Sequence, residues 1–147
     1  MTTLAKILMV IHLLALAFGV GAATVKIVLL IKCNTHHSFL STFFKVAKPI
    51  TQLIIAGLVL LTLSGLGWLF IGYSYTLLFI AKLILVGAVW VIGPIIDNVV
   101  EPKFMKLAPL TGETATPEFI RIQRQYFMME VTATALMYVI TILGALL

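Results

Sequence analysis

The stretch from residue 49 to residue 81, PITQLIIAGLVLLTLSGLGWLFIGYSYTLLFIA, contains no aspartate, glutamate, lysine or arginine. One helix needs about 20 apolar residues to cross a bilayer, so this stretch is too long for a single span. Glycines and hydroxyl-bearing residues in its second half favour a turn: Gly65, Gly67, Gly72, Tyr73, Ser74 and Tyr75. The stretch therefore predicts two membrane-spanning helices joined by a short connection.

The apolar pattern on either side of this stretch predicts two more spans. Residues 7–25 contain His12 as their only ionisable side chain, and residues 126–147 contain Glu130 as their only charged one. We therefore predict an all-α polytopic membrane protein whose single transmembrane domain, residues 1–147, is a four-helix bundle. The helices are expected over residues 3–32, 48–71, 74–98 and 117–147.

The composition excludes several protein classes. Of the 147 residues, 62% are hydrophobic and 10% are charged, and the mean hydropathy is +1.18. Soluble domains carry about 25% charged residues, and disordered chains are more polar still. The single cysteine, Cys33, excludes a disulfide scaffold. The sequence contains no glycine-rich phosphate loop, Ser-His-Asp set or paired-carboxylate motif.

The basic residues predict the orientation of the bundle. They are concentrated in and beside the first and third connections: Lys26, Lys32, Lys45, Lys48, Lys103, Lys106, Arg121 and Arg124. Cytoplasmic loops of membrane proteins carry an excess of lysine and arginine. Both connections are therefore expected to face the cytoplasm, and both termini to lie outside it, in a bacterial inner membrane. This topology accounts for the net charge of +5 without a nucleic-acid partner.

Two ionisable side chains are predicted at one depth in the outer half of the bundle. His12 lies nine residues into the first helix, and Lys82 lies nine residues into the third. At about 1.5 Å per residue, each lies about 13 Å from the outer end of its helix. Ser64 and Gly65 of the second helix fall near the same level. These four residues are the candidate cofactor-binding set.

Two interpretations of this outer level remain open. In the first, His12 is a hydrogen-bonded packing residue and the Lys82 ammonium extends outward to the lipid headgroups. In the second, the neutral imidazole of His12 is an axial metal ligand to the iron of haem b, and Lys82 pairs with a propionate or another anion. The small side chains of Ser64 and Gly65 would then leave space for a flat macrocycle.

A second polar level is predicted nearer the cytoplasm. Lys26 lies 14 residues after His12, and Asp97 lies 15 residues after Lys82, which places both about 21–22 Å further in. Glu130 of the fourth helix reaches a comparable depth from the opposite direction. We expect Lys26, Asp97 and Glu130 to form a structural ion pair that locks the helices together. A snorkelling Lys26 and a proton or ion path are the alternatives.

Three segments of the chain resemble a known family. They are ILMVIHLLALAFGVG (residues 7–21), PITQLIIAGLVLLTLSGLGW (residues 49–68) and LLFIAKLILVGAVW (residues 77–90). In this order they are similar to small membrane proteins related to the CopD copper-resistance domain and to the HemJ-type protoporphyrinogen oxidases. The resemblance implies haem binding by the first-helix histidine and a functional requirement for the third-helix lysine. The oxidases usually carry another histidine late in the third helix, whereas residues 86–93 contain none.

Three functions are compatible with these observations. The first is a haem-binding or tetrapyrrole-related redox protein, and the second is a non-catalytic accessory or scaffold subunit of a larger membrane complex. The third is a copper or small-ion permease, for which no thioether-rich outer path is evident. Whether the protein is an enzyme stays open. The expected partners are the lipid bilayer and either other membrane subunits or further copies of the same chain.

Overall fold

The computed structural model describes residues 2–72, 76–110 and 112–146, and these residues form helices joined by short connections. In chain order the elements are α1 (Thr3–Thr35), a 3-10 turn (His37–Phe39), α2 (Leu40–Leu69), α3 (Leu77–Ile95), a π-helical turn (Ile96–Val100), α4 (Glu101–Leu107) and α5 (Pro117–Leu146). The described residues contain no strand. The predicted turn at residues 73–75, the predicted helix start at residue 74 and the predicted helix end at residue 147 lie outside the described residues.

Four helical segments are long and apolar enough to cross a membrane. They are α1, the 3-10 turn with α2, the continuous segment from Leu77 to Leu107, and α5. Many large apolar side chains on these segments point outward, among them Leu13, Ile84 and Ile142. Such an outward apolar surface suits lipid rather than water. The prediction of an all-α, four-helix membrane protein is confirmed.

The second helix begins eight residues earlier than the sequence predicts. We expected a start at residue 48, next to Pro49, but α2 already begins at Leu40. The extra turns form because Leu40, Phe43 and Ala47 lie on one helix face and bury it completely against the rest of the bundle. Pro49 therefore lies inside α2, and the connection from α1 is only a few residues long.

The third predicted helix also continues further than expected. The sequence predicts that this helix ends at residue 98. Instead, a π-helical turn and α4 continue the segment to Leu107. The spacing of Ile96, Val100 and Phe104 places all three on one buried face, and this packing maintains the helix past its charges. Pro94 precedes the π-turn, and the side-chain amide of Asn98 donates to the Pro94 carbonyl at 2.9 Å.

Threonine side chains cap three of the helices. Thr2 accepts from the Ala5 amide at 3.4 Å, Thr76 from the Phe79 amide at 3.2 Å, and Thr116 from the Phe119 amide at 3.2 Å. Each bond satisfies a backbone donor that has no partner within its own helix. The caps define where α1, α3 and α5 begin.

Two apolar clusters follow one another along the bundle. The first lies at the end that holds the connection between α1 and α2, and it contains stacked aromatic rings such as Phe104, Phe119 and Tyr126. The second lies nearer the opposite end and contains smaller aliphatic side chains such as Ala23 and Val89. The buried charged residues described below lie where the two clusters meet.

The helices α1 and α2 touch through their backbones at Gly57. A Cβ atom at this position would lie 2.5 Å from Gly19 Cα and 2.9 Å from the carbonyl oxygen of Ala15, and it would also clash with the Gly19 nitrogen. All of these atoms belong to a helix backbone, which cannot give way as a flexible side chain can. Small residues permit this kind of close approach between membrane helices.

We expect Gly57→Ala to destabilise the protein by about 1–3 kcal/mol, because the added methyl group must push α1 and α2 apart. The matched control is Gly87→Ala, since a Cβ atom at Gly87 has no neighbour within 4 Å. Unfolding of both variants by increasing SDS in mixed micelles measures the effect. Equal stability of Gly57→Ala and the original protein would show that the backbones do not touch there.

Candidate functional site

A large cavity of about 660 Å³ lies among α1, α2, α3 and α5, at the end of the bundle that holds the first residues of α1. Most of its wall is aliphatic, and Leu16, Leu58 and Val86 are examples. Its polar or ionisable side chains include His12 and Lys82. Cofactor and small-molecule sites are typically concave, mostly apolar and about 300–1,000 Å³ in volume, with a few polar groups. The large cavity has these properties.

The imidazole of His12 is held by Ser64 on the neighbouring helix. His12 Nδ1 lies 2.8 Å from Ser64 Oγ, and Ser64 Oγ also donates to the carbonyl oxygen of Leu61 at 3.1 Å. The Ser64 hydroxyl carries a single proton, and when that proton points to Leu61, Ser64 accepts a hydrogen bond from His12 Nδ1–H. In this tautomer of the neutral ring, the lone pair on Nε2 is left for a metal or another electrophile.

Lys82 reaches the large cavity from α3 and lies against α5. Its Nζ atom is 2.9 Å from the position that a Cβ atom would occupy at Gly144, so the absence of a side chain at Gly144 accommodates the ammonium. Thr141, one turn earlier on α5, also lines the cavity. The side chain is therefore partly buried inside the bundle, where it can meet an anionic group of a ligand.

The four residues proposed from the sequence take different positions around the large cavity. His12, Lys82 and Gly65 line it directly. Gly65 has no atom within 4 Å of where its Cβ would be, so it leaves open space, as expected. Ser64 differs from the expectation because it is 2% exposed and is not among the residues that line the cavity. Its contribution is the hydrogen bond that orients His12, and it does not make space for a ligand.

Two thioether side chains on the wall were not anticipated. Met9 and Met137 line the same cavity as His12. From the sequence, no thioether-rich outer path was expected. The spacing could have predicted Met9 beside His12, because Met9 precedes His12 by three residues and both therefore lie on one face of α1.

A second set of polar residues surrounds the Lys26 ammonium, which is 1% exposed. The Lys26 Nζ atom lies 2.6 Å from Glu130 Oε1, 2.9 Å from Glu101 Oε2 and 3.7 Å from Asp97 Oδ1. It also donates a hydrogen bond to Thr51 Oγ1 at 2.9 Å. We call Lys26, Asp97, Glu101 and Glu130 the Lys26 cluster.

The structure thus brings together the three residues proposed as an ion pair and adds Glu101, which the sequence analysis missed. Glu101 is 8% exposed and accepts a 2.5 Å hydrogen bond from the Tyr126 hydroxyl. It was missed because the third helix was expected to end at residue 98. The spacing of Asp97 and Glu101, four residues apart, is the signal that both carboxylates share one helix face. One ammonium therefore faces three carboxyl groups.

Comparison with protein-family models, curated proteins and solved structures finds no match to this chain. The class of the protein therefore rests on its own fold and side chains. It is a four-helix integral membrane protein with a large apolar cavity at one level and a buried lysine–carboxyl cluster at another.

Proposed function

We propose that this protein binds a haem, or a closely related tetrapyrrole, in the large cavity and uses it as a membrane redox protein. The observation that carries the proposal is the His12 imidazole, whose hydrogen bond to Ser64 leaves the Nε2 lone pair available beside a mostly apolar space. Metal-binding histidines usually donate their other ring N–H to a fixed acceptor in this way.

The residues present fit haem b in three respects. The cavity volume of about 660 Å³ is within the range of cofactor sites. His12 would hold the haem iron through Nε2, since a histidine is a common protein ligand of haem iron. The Lys82 ammonium would pair with a propionate carboxylate, which is the acidic group that such a ligand carries.

Each protein group has a separate task in this proposal. Ser64 would fix the orientation and the tautomer of His12 by accepting a hydrogen bond from Nδ1–H. Gly65 leaves room on α2 for a flat ligand. The aliphatic wall, which includes Leu16 and Val86, would surround a bound ligand with apolar side chains. When bound, haem iron supplies one-electron redox chemistry that side chains lack.

The resemblance of three segments to the CopD and HemJ-type membrane proteins is in line with this proposal. The positions that the resemblance singles out, His12 and Lys82, are two that line the large cavity. We propose a distant relation to that group, with a single-histidine haem site as the feature that distinguishes this chain.

Cuprous ion is a second candidate ligand for the same cavity. Met9, Met137 and His12 all line it, and thioethers and imidazole are ligands that Cu(I) accepts. In that case the function would be that of a copper permease or a copper-binding protein, and not that of a haem protein.

Titration of the purified protein with haemin tests the first proposal. We expect a Soret band shifted from that of free haemin, loss of this shift in His12→Ala, and an affinity about 10–100-fold lower in Ser64→Ala, which removes the partner of Nδ1. His36→Ala is the matched control, since His36 is exposed at the end of α1 and lies outside the cavity.

An unshifted haemin spectrum in the original protein would contradict the haem proposal. An identical shift in His12→Ala would contradict the assignment of the ligand. If haemin does not bind but Cu(I) binds in a manner that depends on His12, the second candidate is favoured.

We also propose that the protein lies in a bacterial inner membrane with both termini outside the cytoplasm. The support is the concentration of lysine and arginine at the other end of the bundle, in α4 and the residues that flank the first and third connections. The large cavity would then open toward the outer side, and the Lys26 cluster would lie nearer the cytoplasm.

Labelling of single cysteines in intact cells with a membrane-impermeant maleimide tests this orientation. In a Cys33→Ser background, we expect Thr3→Cys to react from outside and Thr114→Cys to react only after the cells are permeabilised. Both positions are exposed in the structure, and Cys33 itself is buried. The reverse pattern would invert the proposed topology.

A further inference from the structure

The Lys26 cluster carries more negative than positive charge in its fully ionised form. One ammonium faces the three carboxyl groups of Asp97, Glu101 and Glu130, so two negative charges have no counter-charge within the cluster. Apolar clusters border it along the bundle on both sides. Uncompensated buried charges are strongly destabilising, and a protein avoids them by taking up a cation or a proton.

The hydrogen bonds of the cluster are distributed unevenly. Lys26 donates to Thr51 and Glu101, and Glu101 accepts a further bond from Tyr126. Glu130 Oε1 contacts the ammonium at 2.6 Å but has no aligned hydrogen-bond donor among the described residues. Asp97 is the furthest from Lys26, at 3.7 Å, which is beyond hydrogen-bond distance. Asp97 is therefore the carboxyl group that Lys26 stabilises least, while Glu130 has the shortest contact with the ammonium.

A smaller cavity of about 220 Å³ adjoins these two carboxyl groups. Asp97, Glu130, Thr51 and Thr134 are among the residues that line it. Water occupies about 30 Å³ per molecule in the liquid, so this space can hold several molecules, and those beside Asp97, Glu130, Thr51 or Thr134 would have polar partners. Asp97 is the most accessible carboxyl group of the cluster, with 24% of its side chain exposed.

Thr134 supplies an independent sign of a polar occupant in the smaller cavity. The residue is only 4% exposed, yet its hydroxyl has no hydrogen-bond partner among the described residues. Other helical threonines of the bundle donate to the carbonyl four residues earlier, as Thr62, Thr132 and Thr141 do at 2.8 Å. The Thr134 hydroxyl lacks this bond and lies at a wall that it shares with Asp97 and Glu130.

The position of the lysine favours a proton over a metal ion as the ligand of the cluster. Oxygen atoms of the three carboxyl groups lie within 4.8 Å of one another, which alone would suit a metal ion. The Lys26 ammonium, however, already lies within 3.7 Å of all three groups, where it would repel a metal cation. A proton needs no such central space, because it forms a bond to a single carboxyl oxygen.

We propose that the Lys26 cluster is a buried proton-binding site that exchanges protons with water in the smaller cavity through Asp97. In the uptake step, a hydronium ion transfers a proton to an Asp97 carboxylate oxygen, an O–H bond forms, and neutral water remains. Uptake of two protons by the cluster balances its charge. The proposal is independent of any ligand in the large cavity.

Polar groups from α1, α2, α4 and α5 surround Asp97. Lys26 faces it from α1, Glu101 from α4, and Tyr126 and Glu130 from α5, while α2 contributes the uncharged Thr51. The cluster therefore contains one cation, and its charge changes with the number of protons that the three carboxyl groups hold.

Infrared spectroscopy of the full chain in lipid tests the proposal, because a protonated carboxyl group has a C=O stretch that a carboxylate lacks. We expect this carboxylic-acid band at neutral pH and its loss as the pH is raised. Asp97→Asn and Glu130→Gln should each remove part of the band. Glu118→Gln is the matched control and should leave the band unchanged, because Glu118 is exposed at the start of α5.

The unmodified protein gives a result that does not depend on the folding of any variant. Absence of a carboxylic-acid band at neutral pH would overturn the proposal. Disappearance of the band on addition of sodium chloride, with choline chloride as the ionic-strength control, would also overturn it in favour of a metal-cation site. A band that is present, pH-dependent and insensitive to sodium supports proton binding.

Discussion

The contact between the Lys26 ammonium and the carboxyl groups around it is the interaction on which the arrangement of the helices depends. Apolar helices in lipid gain little by burying aliphatic side chains against one another, since the acyl chains are equally apolar. Lys26 brings α1 to Thr51 of α2, to Glu101 of α4 and to Glu130 of α5 through direct contacts of 2.9 Å or less. A single side chain thus joins all four membrane-spanning segments at one level.

The position of the large cavity follows from the contacts that hold the helices together at other levels of the bundle. The backbones of α1 and α2 meet at Gly57, and the Lys26 cluster holds the segments together nearer the connection between α1 and α2. The helices α2 and α3 have few backbone contacts with each other. The indole of Trp90 donates a 3.0 Å hydrogen bond to Thr62 across the gap. The space that remains toward the start of α1 contains His12 and Lys82, so the same constraint that fixes the bundle also leaves room for a ligand.

The number of spans and much of the polar pattern could be predicted from the sequence, for clear physical reasons. Long apolar runs can only be helices in a bilayer, and a fixed rise per residue converts sequence position into depth. That arithmetic placed His12 and Lys82 at one level, and both side chains line one cavity. It also placed Lys26, Asp97 and Glu130 together, and the carboxyl groups of Asp97 and Glu130 lie within 3.7 Å of the Lys26 ammonium.

The features that sequence reasoning missed depend on packing rather than on hydropathy. The third helix was expected to end at residue 98, but the buried face formed by Ile96, Val100 and Phe104 continues the helix and carries Glu101 into the cluster. The direction of the Ser64 hydroxyl depends on a neighbouring helix, so its role as the partner of His12 could not be read from spacing. Contacts between helices decide such details, and a single sequence does not encode them locally.

A double-mutant cycle on Lys26 and Glu130 tests most directly whether the buried contact organises the bundle. The unfolding free energy would be measured for Lys26→Met, Glu130→Gln and the combined variant. The account predicts that each single change is strongly destabilising and that the double variant loses much less than their sum, with a coupling of about 0.5–3 kcal/mol. Additive losses would mean that the two side chains do not act on each other, and the proposed basis of the fold would be wrong.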